Sequence, residues 1–170
     1  MGKRSKFERK PMDYYATPHE ALLPLLNHLP AGGTTFCEPC AGEGVLIGHL
    51  EKHGHKCVSA FDAGDGPYRR HDASWITEAD LNGADLIITN PPWDRKVLHQ
   101  IIERCSIIRP TWLLFDADWM HTKQAQPYLY LCHTIVAVGR VKWFGNIAGK
   151  DNCCWYKFHS PTNQTRFVGR

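Results

Sequence analysis

The chain has 170 residues, a net charge of +3, a hydrophobic fraction of 43% and a mean hydropathy of -0.38, the values of one globular domain with room for little else. No apolar run approaches the roughly 20 residues needed to cross a bilayer, and no apolar segment follows the N-terminal charges, so neither an anchor nor a secretory signal is indicated and a cytoplasmic location is expected. The seven cysteines are odd in number and irregularly spaced, which argues for reduced thiols. Cys37 and Cys40 have CxxC spacing, but the adjacent Cys153 and Cys154 supply no spaced second pair for zinc, so no metal is expected.

Lys3, Arg4, Lys6, Arg9 and Lys10 form a basic tail, which is expected to be a flexible arm over 1–12 that also attracts phosphates. A single domain is expected over 13–170. Thr17-Pro18-His19-Glu20 reads as a helix start, with Thr17 as N-cap, Pro18 in the first helical position and Glu20 closing a capping box. This helix should run towards Leu29, kinked or shortened by Pro24. A strand at 34–37 leads into Glu38-Pro39-Cys40-Ala41-Gly42-Glu43-Gly44, and a helix over 43–53 ends at Gly54 as a C-terminal cap. Residues 57–61 form a strand followed by Asp62. The region 63–84 is loop-rich, with a short strand near Tyr68 and a short helix from Ser74.

A strand at 85–89 runs directly into Asn90-Pro91-Pro92-Trp93. Asp94 then caps a helix whose apolar face is Val97, Leu98, Ile101, Ile102 and Cys105. After a strand at 111–115 and a short helix at 119–126 ended by Pro127, strands at 133–138 and 153–158 have no long helix between them and should pair antiparallel. The alternation gives an α/β sandwich around a mostly parallel seven-stranded sheet with a C-terminal antiparallel hairpin.

Two loops carry the chemistry. Gly42 and Gly44, after the first strand, allow a tight turn and close approach of backbone to a ligand; Asp62, after the next strand, can accept hydrogen bonds from ribose hydroxyls. No pyrophosphate-binding GxGxxG is present, which disfavours a dinucleotide. At Asn90-Pro91-Pro92-Trp93 the prolines fix φ and offer carbonyls without competing N–H groups. Asn90 adds a side-chain acceptor and Trp93 a flat ring. Together they suit the grip of a planar amino group.

The Asn-Pro-Pro-Trp tetrapeptide resembles the catalytic motif of S-adenosylmethionine-dependent amino-methyltransferases, most of all the N6-adenine DNA methyltransferases. The Glu-Pro-x-x-Gly-x-Gly loop resembles their cofactor loop, and Tyr15-Ala16-Thr17-Pro18 their N-terminal cofactor-side motif, in the gamma-type order. The resemblance implies a Rossmann-like class I methyltransferase fold. For the cofactor it implies Glu38, with Pro39 and Ala41 in its loop, near the methionine amine, Gly42 and Gly44 under the cofactor, Asp62 on the ribose and Asp72 on the adenine amine. Tyr15, Thr17, Pro18 and Asn90 complete that set, and S-adenosylhomocysteine is the product. Asn90, Pro91, Pro92 and Trp93 are the implied catalytic group, with Asn90 Oδ1 and the Pro91 carbonyl as acceptors and Trp93 as the stacking ring.

The segment between the last two strands suggests a lid on the target base. Phe144 is the preferred second stacking residue, Trp143 another aromatic of the same wall, and Arg140, Lys142 and Lys150 are cations for phosphate; Trp155 is expected in the core. DNA is the expected partner, with RNA the alternative, and the protein a monomer or homodimer. No separate target-recognition domain is expected, and the compact form is similar to phage and prophage methyltransferases. Methylation of RNA adenine N6 or guanine N2, and a non-catalytic cofactor-binding subunit, are the competing readings.

Overall fold

The computed structural model describes residues 15–143 and 152–170. Seven strands form one sheet: β1 (Thr35–Glu38), β2 (Lys56–Ala60), β3 (Leu86–Thr89), β4 (Thr111–Asp116), β5 (Cys132–Arg140), β6 (Asn152–Phe158) and β7 (Arg166–Val168). Their spatial order is β2-β1-β3-β4-β6-β5-β7. β1 pairs parallel with β2 and β3, β3 with β4, and β5 with β7, while β6 is antiparallel to both β4 and β5. The helices α1 (His19–Leu26), α2 (Val45–Lys52) and α3 (Arg95–Ile108) cover it, with short 3-10 segments at Ala73–Trp75, Glu78–Leu81, Ala117–His121 and Lys123–Leu131.

Period-two alternation divides the core into two layers. Along β4, Leu113 and Phe115 enter one cluster and Trp112 and Leu114 the other. Along β6, Cys154, Tyr156 and Phe158 alternate in the same way with Cys153 and Trp155. The first cluster is closed by Leu98, Ile101, Ile102 and Cys105 of α3, the second by Leu22 and Leu25 of α1 with Leu46 and Leu50 of α2. Trp155 is fully buried and its indole N–H donates to the Ala21 carbonyl at 2.8 Å, fastening the hairpin to α1.

Several local expectations are corrected. Thr17 does not cap α1: Pro18 occupies the cap position in an extended conformation, without a side-chain cap bond, and Thr17 is buried. The helix stops at Leu26, two residues after Pro24, whose ring leaves the Glu20 carbonyl without its intrahelical amide. The stretch near Tyr68 is loop, holding only an isolated bridge between Asp62 and Arg69. The seventh strand is instead β7, a three-residue edge too short to show a pattern in the sequence. Pro127 does not end the helical stretch but lies inside the Lys123–Leu131 segment, which is 3-10 rather than α-helical. The basic tail over 1–12 lies outside the described residues.

Other signals operate as expected. Asp94 caps α3, its Oδ1 accepting from the Lys96 and Val97 amides at 3.0 and 3.4 Å. Gly54 follows α2 at φ +85°, with its amide on the Glu51 carbonyl and that of His55 on Leu50, a Schellman closure.

Candidate cofactor and catalytic site

From β1 the chain crosses to β2 on one side and later to β3 on the other, so the ends of β1 and β3 flank the point where the strand order reverses, the place where open α/β sheets bind ligands. A cavity of about 720 Å³ opens there, within the range of small-molecule sites. Its walls come from four separated stretches. Tyr15, Ala16 and Thr17 form one; Glu38 to Glu43 with Val45 and Leu46 a second; Asp62 to Gly66 with Asp72 and Ala73 a third; Asn90, Pro92, Asp94, Val97 and Ile101 the fourth.

Most of the expected cofactor set therefore converges on one space: Tyr15, Thr17, Glu38, Pro39, Ala41, Gly42, Asp62, Asp72 and Asn90 all line it. Pro18, Gly44, Pro91 and Trp93 are not among the lining residues. Gly44 acts on the backbone instead. It adopts φ +76° at the N-terminus of α2, and a Cβ there would meet the Tyr68 ring at 2.9 Å. Gly42 has φ +52° and gives its amide to Asp62 Oδ2 at 2.8 Å. Asp62 Oδ1 accepts from the Gly64 amide at 2.6 Å, so this carboxylate stitches the two loops together. Each of its oxygens keeps a second lone pair for a ligand. Asp72 caps the 3-10 turn that follows it, accepting from the Ser74 amide at 2.7 Å.

Glu38 is the exceptional group. Only 2% of its surface is exposed, and Oε2 is buried without a hydrogen-bond partner. Burial, reinforced by the nearby Asp62 carboxylate, raises its pKa well above the usual carboxyl range against a lowering hydrogen bond from the Ile47 amide. A buried acceptor without a donor calls for one from a ligand, and a cation satisfies it best. Cys40 shares the loop, but burial first and the Asp62 charge second raise its thiol pKa strongly, which suits packing rather than nucleophilic attack. No group of three or more candidate metal ligands occurs among the described residues.

On the opposite lip, the Asn90 side-chain N–H donates to the Tyr15 carbonyl at 3.2 Å. That bond fixes the amide with Oδ1 as its remaining acceptor. Trp93 packs against both core clusters and meets Trp143 edge to face, with centroids 5.8 Å apart and planes at 86°. Trp143 also tilts against Tyr15 at 6.3 Å. Trp143 thus joins the Asn90-Pro91-Pro92-Trp93 stretch to Tyr15 from far along the chain. Arg140, at the end of β5, and Lys142 are exposed, and the Lys142 amide donates to the Glu20 carboxylate at 3.4 Å. Phe144 and Lys150 lie outside the described residues. Glu43, Asp65 and Asp94 line the cavity without having been singled out for it in the sequence. The signal available was one carboxylate near each strand end that faces the switch point.

The architecture and the position of this cavity define a class: the chain has the Rossmann-like class I methyltransferase fold, an α/β sandwich on a mixed seven-stranded sheet. Among solved structures it is similar to a proposed RNA methyltransferase from Pyrococcus horikoshii, with TM-score 0.63 and 15% identity, covering 94% of this chain and 93% of that one. It is also similar to a proposed class I S-adenosylmethionine-dependent methyltransferase from Listeria monocytogenes, with TM-score 0.62, 8% identity and coverages of 96% and 68%. A third is the modification subunit of a proposed type I restriction enzyme from Vibrio vulnificus, with TM-score 0.62 and 12% identity; 92% of this chain matches 47% of that one. No protein-family model and no curated protein sequence matches the chain.

Proposed function

We propose that the protein is an S-adenosylmethionine-dependent amino-methyltransferase that modifies the N6 amine of adenine in DNA. The observation that carries this is the pinned Asn90: its N–H is held by the Tyr15 carbonyl at a cavity that is also lined by Glu38, whose Oε2 has no hydrogen-bond partner. The cavity residues fit the cofactor. Glu38 would hold the methionine ammonium, Asp62 the ribose hydroxyls and Asp72 the adenine amine, with the Gly42 backbone alongside. When bound, the cofactor supplies an electrophilic methyl group on a sulfonium.

The chain's own residues do the rest. An adenine amine is a weak nucleophile because its lone pair is delocalised into the ring. Asn90 Oδ1 and the Pro91 carbonyl accept its two hydrogens, favour a pyramidal nitrogen and turn the lone pair towards the donor. Trp93 stacks on the base. With the cofactor held by Glu38, Asp62 and Asp72, its sulfonium would give up the methyl as the new N–C bond replaces the S–C bond, and the methylated nitrogen would shed one proton to solvent. Orientation and preorganised dipoles provide the acceleration, and a base from a duplex must be flipped out to reach them. Arg140 and Lys142, with Lys150 and the aromatic Phe144, are the proposed nucleic-acid contacts.

The modification-subunit neighbour favours DNA. The Pyrococcus neighbour, similar along nearly its whole length, supports a second reading: the same chemistry on RNA adenine N6 or guanine N2. Incubation with labelled S-adenosylmethionine and DNA, RNA or protein, followed by nucleoside mass analysis, separates them. N6-methyladenine in DNA is the expected product. N2-methylguanine, or label in RNA or protein alone, would overturn the DNA assignment, and cofactor binding without transfer to any substrate would leave a non-catalytic subunit.

A further inference from the structure

Charge is unevenly spread along this chain. From Trp119 to Arg170 the sequence has seven Lys and Arg and a single acidic side chain, Asp151, although the whole chain carries only +3. That stretch builds β5, β6 and β7, the end of the sheet away from β1 and β2. The pairings set Trp112 of β4, Lys157 of β6, Thr134 of β5 and Arg166 of β7 in one row, and residues paired across strands share a face. The row two residues on, Leu114, Trp155, Val136 and Val168, lies in the cluster closed by Leu22 and Leu25 of α1. α1 ends at Leu26, so the Lys157 row emerges just past it, where the His28 ring tilts against Trp112 at 6.1 Å. Lys157 is half-buried there and Arg166 exposed.

These cations are unanswered. Lys157 Nζ sits over the Trp112 ring, 5.8 Å from its centroid, and among the described residues neither Lys157 nor Arg166 has an ion-pair partner. The charges that act on His28 are those of Arg166 and Lys157, both positive. Acids of the flanking elements are engaged elsewhere: Glu20, in the first turn of α1, accepts the Lys142 amide, and Asp116, at the other end of β4, holds Arg95. Like charges gathered without a counterion favour a bound anion. The row also connects to the cavity side of the sheet. Arg170 lies at most about 14 Å of chain beyond Arg166, and its guanidinium reaches Gly139, where an added Cβ would stand 2.9 Å from it. Arg140 follows, where β5 ends on the same side of the sheet as β3 and β4.

We propose that this face of β5, β6 and β7, from Arg140 and Arg170 to Lys157 and Arg166, is a docking track for the phosphate backbone of DNA flanking the target adenine. It rests on the nucleic-acid reading above and goes past it: Arg140 and Lys142 serve the cavity end, whereas Lys157, Thr134 and Arg166 hold phosphates a strand's length away. A guanidinium and an ammonium meet phosphate oxygens without reading a base edge, and Thr134 adds a hydroxyl donor. Trp112 is only 2% exposed and offers no stacking face. The track therefore gives affinity and register, not sequence.

The test is fluorescence anisotropy of the full chain with a labelled DNA duplex between about 50 and 200 mM salt. Lys157→Gln with Arg166→Gln should weaken binding about tenfold or more at the lower salt. It should also flatten the slope of log affinity against log salt by about 1.8, since each lost phosphate contact removes about 0.9. The charge-preserving pair Lys157→Arg with Arg166→Lys should bind as the wild type does. So should Lys52→Gln with Lys56→Gln, which removes the same charge from the end of α2 and the start of β2. If the first pair melts early, Arg166→Gln alone, on the exposed edge strand, carries the comparison and should show half the slope change. Unchanged affinity and slope, or an equal loss in the Lys52 and Lys56 pair, would overturn the track while leaving nucleic-acid binding in place. Wild-type binding to phosphatidylserine vesicles but not to DNA would assign the face to a membrane and overturn it as well. If the wild type binds neither DNA nor RNA, the nucleic-acid reading itself falls and takes the track with it.

Discussion

Glu38 combines low exposure, an unsatisfied oxygen and a raised pKa, and these have linked consequences. A carboxyl whose folded pKa lies above its ordinary value of 4.5 destabilises the empty protein progressively as pH rises from that value through the raised one. Glu38→Gln should therefore raise the melting temperature of the cofactor-free protein at neutral pH, with the gain vanishing below the ordinary carboxyl range. The same substitution should weaken S-adenosylmethionine binding about tenfold or more, the worth of a charge-assisted hydrogen bond. Wild-type affinity should fall as pH drops and Glu38 is protonated. Calorimetry across pH checks all three, and equal melting temperatures at neutral pH would remove the burial penalty. Asn90→Ala is expected to lower turnover roughly 10²-fold or more, as losing a preorganised group does, while cofactor binding survives; near-wild-type turnover would exclude Asn90 from the proposed role. At this scale the sequence exposed residues whose partners are close in the chain or whose motif is contiguous, such as Asn90 and the Gly42–Gly44 turn. It hid the engagement of Asp62 with two loop amides and of Trp143 with Trp93 and Tyr15, since these arise only when distant segments meet.

At the level of elements, the end of α2 offers a paired measurement. Gly54 has φ +85° with open space where a Cβ would go, whereas a Cβ on Gly33, at φ +84°, would stand 2.4 Å from the Gly54 carbonyl oxygen. Gly54→Ala should cost about 1–2 kcal/mol, the left-handed backbone penalty, and Gly33→Ala distinctly more, because a backbone atom must also move. Denaturant melts of the two variants give the order directly, and equal losses would show that the Gly33 contact relaxes freely. The strands of the parallel half were legible because each is a short run of mostly apolar residues bounded by Gly, Pro, Asp or Asn. β7 was not, since its pairing with β5 comes from tertiary context rather than its own pattern. Thr17 shows how a good local signal is overridden: its residue type suits a cap, but it is buried at the cavity wall and Pro18 takes the cap position.

For the whole molecule, four histidines set a pH dependence. Burial first, then neighbouring cations or other histidines, holds His28, His49, His55 and His99 below the ordinary imidazole value of 6.5. The unfolded chain then binds more protons than the folded one just below 6.5, so this stability is fully present above that value and is lost as pH falls through the depressed folded values. Melting temperature should decline from about pH 8 to about pH 5.5. The decline should be steeper in Glu38→Gln, since Glu38 titrates with the opposite sign. A flat profile in that variant would remove the histidine linkage. The strand order has a consequence of another kind. β6 lies between β4 and β5, with antiparallel registers to both, so a chain emerging from the ribosome cannot finish its sheet in the order of synthesis. Until residue 158 is free, β4 presents a bare edge and β5, though already made, has no neighbour within the sheet to join. Bare apolar edges recruit other chains. Yield in cells should therefore depend on how quickly the last segment follows, a vulnerability set by topology rather than by the stability of the finished fold.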